Sequence, residues 1–221
     1  MPDVPWWGAV SSAAAPLLLV GGLTAAATVQ PASFDAFNNT VSALAGQGAT
    51  DSWVMTLTFV VVGACDIVTA LALRGAALPG RLVLIAAGVA GMLVAAFPEH
   101  LGGSVVHAWW AGIGFAGLIL WPIFAMQRGE DVPWGLRPAT CWWTTVTLCL
   151  LTLWFAAEQA SRGAEMGLAE RAAGLAQTVW PLAVVVSCMR SRPADLPRTE
   201  SSNPTCSLSA GRTIPPKGQA T

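Results

Sequence analysis

The chain is expected to be all-α: a polytopic membrane protein whose six transmembrane helices form one bundle of three hairpins. Three observations predict this. Apolar stretches recur at residues 9–29, 53–73, 82–97, 107–125, 139–157 and 172–189, and a helix needs about 20 mostly apolar residues to cross a bilayer. Hydrophobic residues make up 54% of the chain and charged residues 10%, with a mean hydropathy of +0.59, whereas soluble domains carry about 25% charged residues. Basic residues also collect on one side. Of the 11 Lys and Arg residues, only Arg162 and Arg171 fall in the loops opposite Arg74, Arg81, Arg128, Arg137 and the segment after span six. The positive-inside rule then places both termini in the cytoplasm.

Residues 1–8 are expected to be a short cytoplasmic N-terminus. They contain Asp3 and no Lys or Arg, and the following apolar run is longer than a signal-peptide core, so span one is read as retained. The first outer loop carries Ser33 as a candidate N-cap. Phe34, Phe37, Val41 and Leu44 follow at helical spacing, with Asp35, Asn39 and Ser42 on another face. That pattern predicts a short amphipathic helix at the membrane surface or dipping into the bundle.

Span two contains Asp66, thirteen residues after Trp53 and so about 20 Å along the helix. A charged side chain at that depth costs about 2.5–3.5 kcal/mol. Asp66 is therefore expected to face the bundle and to meet a polar partner such as Gln177, or water. In span three, Ala87, Gly88 and Gly91 are small residues that let helices approach closely. Pro122 and Pro181 are expected to kink spans four and six. Trp6, Trp7, Trp53, Trp109, Trp110, Trp134, Trp142 and Trp143 fall near span ends, as interfacial aromatic belts do.

The second outer loop brings Glu99, His100 and His107 together; these are the chain's 2 histidines. Imidazole suits metal ligation or proton transfer near neutral pH, and Glu99 could supply an oxygen ligand or a base. His100 and His107 are thus candidate metal ligands. However, they stand seven residues apart across Gly102-Gly103, which is no recognised ligand pattern. The first reading of His107 is a satisfied polar group at the start of span four. The third outer loop holds Glu158, Arg162, Glu165, Glu170 and Arg171. Glu158 and Arg162 are spaced to pair along a helix, and Arg171 is expected to pair with Asp35 or Glu99 where it enters span six.

Residues 190–221 are rich in Pro, Ser and Thr and are expected to form a disordered cytoplasmic tail. None of the 5 cysteines lies in an outer loop, which argues against a disulfide framework. A net charge of −1 gives no reason to expect a nucleic-acid partner, and no zinc spacing, P-loop or dinucleotide fingerprint is present.

Asp35 with Ser42-Ala43-Leu44 after span one, Phe97-Pro98 leading to His107, and Glu170-Arg171 followed by Trp180 are similar, in order and placement, to the domain of unknown function 998 family. The chain resembles that family of bacterial and archaeal membrane proteins over about residues 10 to 190. Ala45 stands where members often have glycine. The resemblance implies a six-helix, multi-pass protein of the cell membrane and brings no established activity. It draws attention to Asp35, Ser42, His107, Glu170 and Arg171.

Three functions follow as expectations. The first is a non-enzymatic protein whose outer polar residues hold the hairpins together or bind a lipid or small ligand. The second is a membrane hydrolase acting on a lipid or ester, with His107, Asp35 and Glu99 as its core and Ser42 as a further catalytic candidate. The third is a proton-coupled carrier that titrates Asp66. A six-span carrier would need a second copy, which makes a homo-oligomer one of the expected assemblies.

Overall fold

Six long apolar helices account for nearly all the ordered structure. The computed structural model describes residues 4–99 and 104–191. His100 and residues 192–221, which include most of the expected tail, lie outside the described residues. The helices are α1 (Trp6–Thr28), a short α2 (Val41–Ala45), α3 (Trp53–Ala72), α4 (Leu78–Ala96), α5 (Val105–Ala125), α6 (Pro138–Ser161) and α7 (Met166–Arg190), with one 3-10 turn at Trp134–Leu136. All but α2 are long and apolar enough to cross a membrane.

Two helix starts follow directly from proline. Pro79 and Pro138 sit in the first turns of α4 and α6, where a missing N–H costs nothing and the fixed φ suits the helix. Pro16, Pro122 and Pro181 lie inside α1, α5 and α7. Helix α7 starts at Met166, ahead of the apolar run at 172–189, so Glu170 and Arg171 are helical residues and not loop residues.

Consecutive long helices pack side by side, and α1 closes against α7, so the six form a ring. Glycine sets one close helix crossing. A Cβ on Gly63 of α3 would strike the Gly88 carbonyl of α4, and one on Gly88 would strike the Gly63 carbonyl. Only hydrogen at both positions allows that backbone contact.

Large apolar side chains cover the outside, among them Leu17 at 72% exposure, Leu150 at 62% and Leu153 at 58%. Water would penalise that surface, but lipid accepts it. Trp6, Trp53, Trp109, Trp142 and Trp143 are exposed near helix ends.

Two apolar clusters fill the interior. One, around Leu73, Leu84, Trp121, Leu136, Val184 and Val185, lies toward the arginine-rich end. The other, around Leu19, Val41, Leu44, Met55 and Val62, lies toward the end that carries His107.

Candidate functional site

The connection from α1 to α3 builds the site, and its local chemistry departs from the expected helix. Residues 34–39 form no helix, with a turn at 36–38, and helix begins only at Val41. Asp35 Oδ1 accepts from the Phe37 N–H at 2.9 Å, and the Asn39 side chain accepts from the Asp35 N–H at 3.2 Å. Such side-chain bonds compete with helix formation. Thr40, and not Ser33, caps α2, accepting from the Ala43 N–H at 3.0 Å.

That connection is clamped onto the first turns of α7. The Leu168 N–H, one of the helix's unpaired N-terminal donors, bonds the Phe37 carbonyl at 3.1 Å. Arg171 Nη1 donates to the carbonyls of Ala36, Asn39 and Gly167. The expected ion pair with Asp35 or Glu99 is therefore replaced by backbone carbonyls, with Glu170 and Asp35 adding Coulomb attraction. Gly167 permits the approach, because a Cβ there would collide with the Asn39 and Ala36 carbonyl oxygens.

Glu170 completes the clamp. It is 6% exposed, and its Oε2 accepts from the Val41 N–H at 2.7 Å. Its Oε1 lies 3.3 Å from the Ser42 hydroxyl. The same hydroxyl is 3.1 Å from His107 Nε2, and His107 Nδ1 is 3.0 Å from the Phe97 carbonyl. His107 itself is buried, at 5% exposure, in the first turn of α5. Residues from α2, the end of α4, α5 and α7 thus meet in one network.

The other candidates stand elsewhere. Asp35 is exposed and bonds within its own turn, including Asn38 Nδ2 at 2.6 Å. Glu99 gives its backbone carbonyl to the Gln47 N–H at 3.1 Å and lines a surface recess with Gln30, Thr40 and Gln47. Glu158 accepts from the Glu165 N–H at 3.1 Å instead of pairing with Arg162, which ends α6 in a left-handed conformation. Among the described residues, no cluster of three or more His, Cys, Asp or Glu could hold a metal ion.

Beneath the network lies a cavity of ≈ 130 Å³, walled mainly by apolar groups of α1, α3, α4, α5 and α7. Ser42, Glu170 and Arg171 line it toward the His107 end, and Asp66 and Gln177 also line it. Asp66 is 4% exposed. Gln177 spends its amide on Thr152 Oγ1 at 3.2 Å, so the expected Asp66–Gln177 bond gives way to a shared cavity wall. Gly91 contributes open space, since a Cβ there would meet nothing within 4 Å.

Two members of the site escaped the sequence reading. Gly167 was given no role and Val41 was read only as part of an apolar face, although Gly167, Glu170 and Arg171 have the i, i+3, i+4 spacing of one helix face. Reading them as helical would have exposed that face.

Residues 12–187 match the family described as "Protein of unknown function (DUF998)", so the chain belongs to that family. No curated protein and no solved structure matches it.

Proposed function

We propose that this DUF998 member is a membrane-embedded binding protein whose ring of helices encloses a site for a small, largely apolar molecule with one hydrogen-bonding group. The cavity carries this reading. Its ≈ 130 Å³ is close to the about 150 Å³ of an apolar protein cavity that binds benzene. Asp66, Ser42, Glu170, Arg171 and Gln177 stand among mostly apolar walls, the usual character of a small-molecule site. The His107 end is proposed to face away from the cytoplasm, as the distribution of basic residues favours.

The test uses 4-fluorophenol with the full chain in lipid nanodiscs. A ¹⁹F resonance distinct from the lipid-partitioned signal is expected, and Gly91→Phe, which fills the cavity, should remove it. Absence of a bound resonance in the unaltered protein would overturn the reading. Orientation is checked separately. A cysteine at Ala49 should label from outside intact cells, while a reporter at the C-terminus should behave as internal.

One observation favours a second reading. The Ser42 hydroxyl beside His107 Nε2, with the ring held by Phe97, has the form of a nucleophile and its base. Against it, the Glu170 carboxyl lies at 3.3 Å from that hydroxyl. The Val41 and Ala43 N–H groups, which could stabilise an oxyanion, are taken by Glu170 and Thr40. Covalent labelling of Ser42 by a fluorophosphonate would favour the hydrolase.

A further inference from the structure

Three heteroatoms stand in a row at the His107 end. They are Glu170 Oε1, Ser42 Oγ and His107 Nε2, separated in turn by 3.3 and 3.1 Å. Their surroundings restrict what each can offer. The Phe97 carbonyl only accepts, so His107 Nδ1, 3.0 Å away, carries a hydrogen. In the neutral ring Nε2 is then an acceptor and draws the Ser42 proton. Glu170 Oε2 is occupied by the Val41 N–H at 2.7 Å, which leaves Oε1 for Ser42. An ionised Glu170 would draw that same proton, and a hydroxyl has only one to give.

Two hydrogen bonds in the row therefore need two protons. Ser42 supplies one, and the second belongs either to Glu170 as a carboxylic acid or to His107 as an imidazolium. In the first state, Glu170 O–H donates to Ser42 Oγ, and Ser42 donates to Nε2. In the second, Nε2–H donates to Ser42 Oγ, and Ser42 donates to the carboxylate. Both states satisfy every polar atom of the row with the heavy atoms in place. With one proton fewer, the Ser42 hydroxyl serves only one of its two acceptors, and Glu170 keeps only backbone N–H donors from Val41 and Ser42; with one more, two donors face each other, at a cost of about 1–3 kcal/mol.

We infer that Glu170, Ser42 and His107 form a proton-transfer chain that holds one exchangeable proton and carries it between Glu170 at the cavity wall and His107 in the first turn of α5. The step balances within the row. The Glu170 O–H bond breaks as its proton joins Ser42 Oγ, and the former Ser42 proton forms the new bond to His107 Nε2. Two neutral groups become a carboxylate and an imidazolium, and the reverse transfer restores them.

The charged groups around the row are Arg171, next to Glu170 on α7 and held on the 36–39 carbonyls, and Asp35 on the connection above it. Asp66 of α3 shares the cavity, and Glu99 follows Phe97 by two residues. The count of donors and acceptors in the row is independent of what the cavity binds.

The experiment uses the full chain in nanodiscs with ¹⁵N-histidine and ¹³C-glutamate labelling, and with His100→Gln so that His107 gives the only imidazole signals. The Glu170 carboxyl and His107 ring signals should move over the same pH interval and share apparent midpoints, as coupled sites do. Ser42→Ala should separate them by about one pH unit or more, and Ser42→Thr, which keeps the hydroxyl, should leave them coupled. Separate midpoints in the Ser42-containing protein, or unchanged curves in Ser42→Ala, would overturn the chain. Should Ser42→Ala fail to fold, Glu170→Gln decides. Its amide is a permanent donor to Ser42, so the His107 curve should move by about one pH unit or more, and an unmoved curve would overturn the proposal.

Discussion

The two ends of the bundle are closed by different means. At the arginine-rich end, closure is mostly local. Arg81 of α4 reaches back across a short turn to the last carbonyls of α3, donating to Ala70 at 2.8 Å and Leu71 at 3.3 Å. Arg137 donates to Val132 at 3.0 Å. A cation at a helix C-terminus satisfies free carbonyls and complements the dipole. At the His107 end, the partners are far apart in sequence. Glu170 meets Val41 and Ser42, Arg171 meets Ala36 and Asn39, and His107 meets Ser42. One end is built largely from caps that each short connection supplies for itself. The other exists only once the first connection has docked on the last helix.

This difference predicts unequal sensitivity to substitution. Glu170→Leu should have the largest effect. It leaves the buried Val41 N–H without its acceptor and takes from Ser42 its partner on α7, so a loss of about 3 kcal/mol is expected, measured by reversible unfolding in mixed micelles. Glu170→Gln keeps an acceptor and should lose about 1 kcal/mol. Equal losses in Gln and Leu would mean that the clamp is not held by hydrogen bonding.

Gly167→Ala is next. Its methyl group must displace the Asn39 and Ala36 carbonyls, and overpacking of this kind costs about 1–3 kcal/mol. Proteolysis between residues 33 and 40 should accelerate in this variant and not in a variant of the other end. Arg81→Ala should cost less, about 1 kcal/mol, with protection from amide exchange lost only near the end of α3. Loss of protection at the Ser42 segment as well would show that the two ends are coupled and would break the comparison.

The smallest effect is expected at Asp66, between the ends. Its carboxyl faces the cavity and, among the described residues, makes no side-chain hydrogen bond, so its replacement strands no partner. Asp66→Leu and Asp66→Asn should therefore unfold within about 1 kcal/mol of each other. A much weaker Leu variant would reveal a structural bond to this side chain.

What was legible in the sequence follows the same division. The six helices could be read from local information, because a bilayer demands long apolar segments, and proline sets the starts of α4 and α6. The arginine caps are equally local, since each lies within a few residues of the turn it closes. Asp35 and Asn39 could also have been read as helix breakers, because their side chains bond their own backbone. Instead, the apolar spacing of Phe34, Phe37, Val41 and Leu44 suggested a longer helix. Tertiary structure alone decided that Arg171 is held by backbone carbonyls and that Gln177 turns to Thr152. It also set Ser42 between Glu170 and His107. Those partners are 25 to 135 residues apart, and no spacing rule reaches that far. The sequence by itself determined how many helices there are and what surrounds them. Only the packing of α7 against the first connection, which Gly167 permits, decided which polar groups meet, because a buried donor takes whichever acceptor the closed ring places within reach.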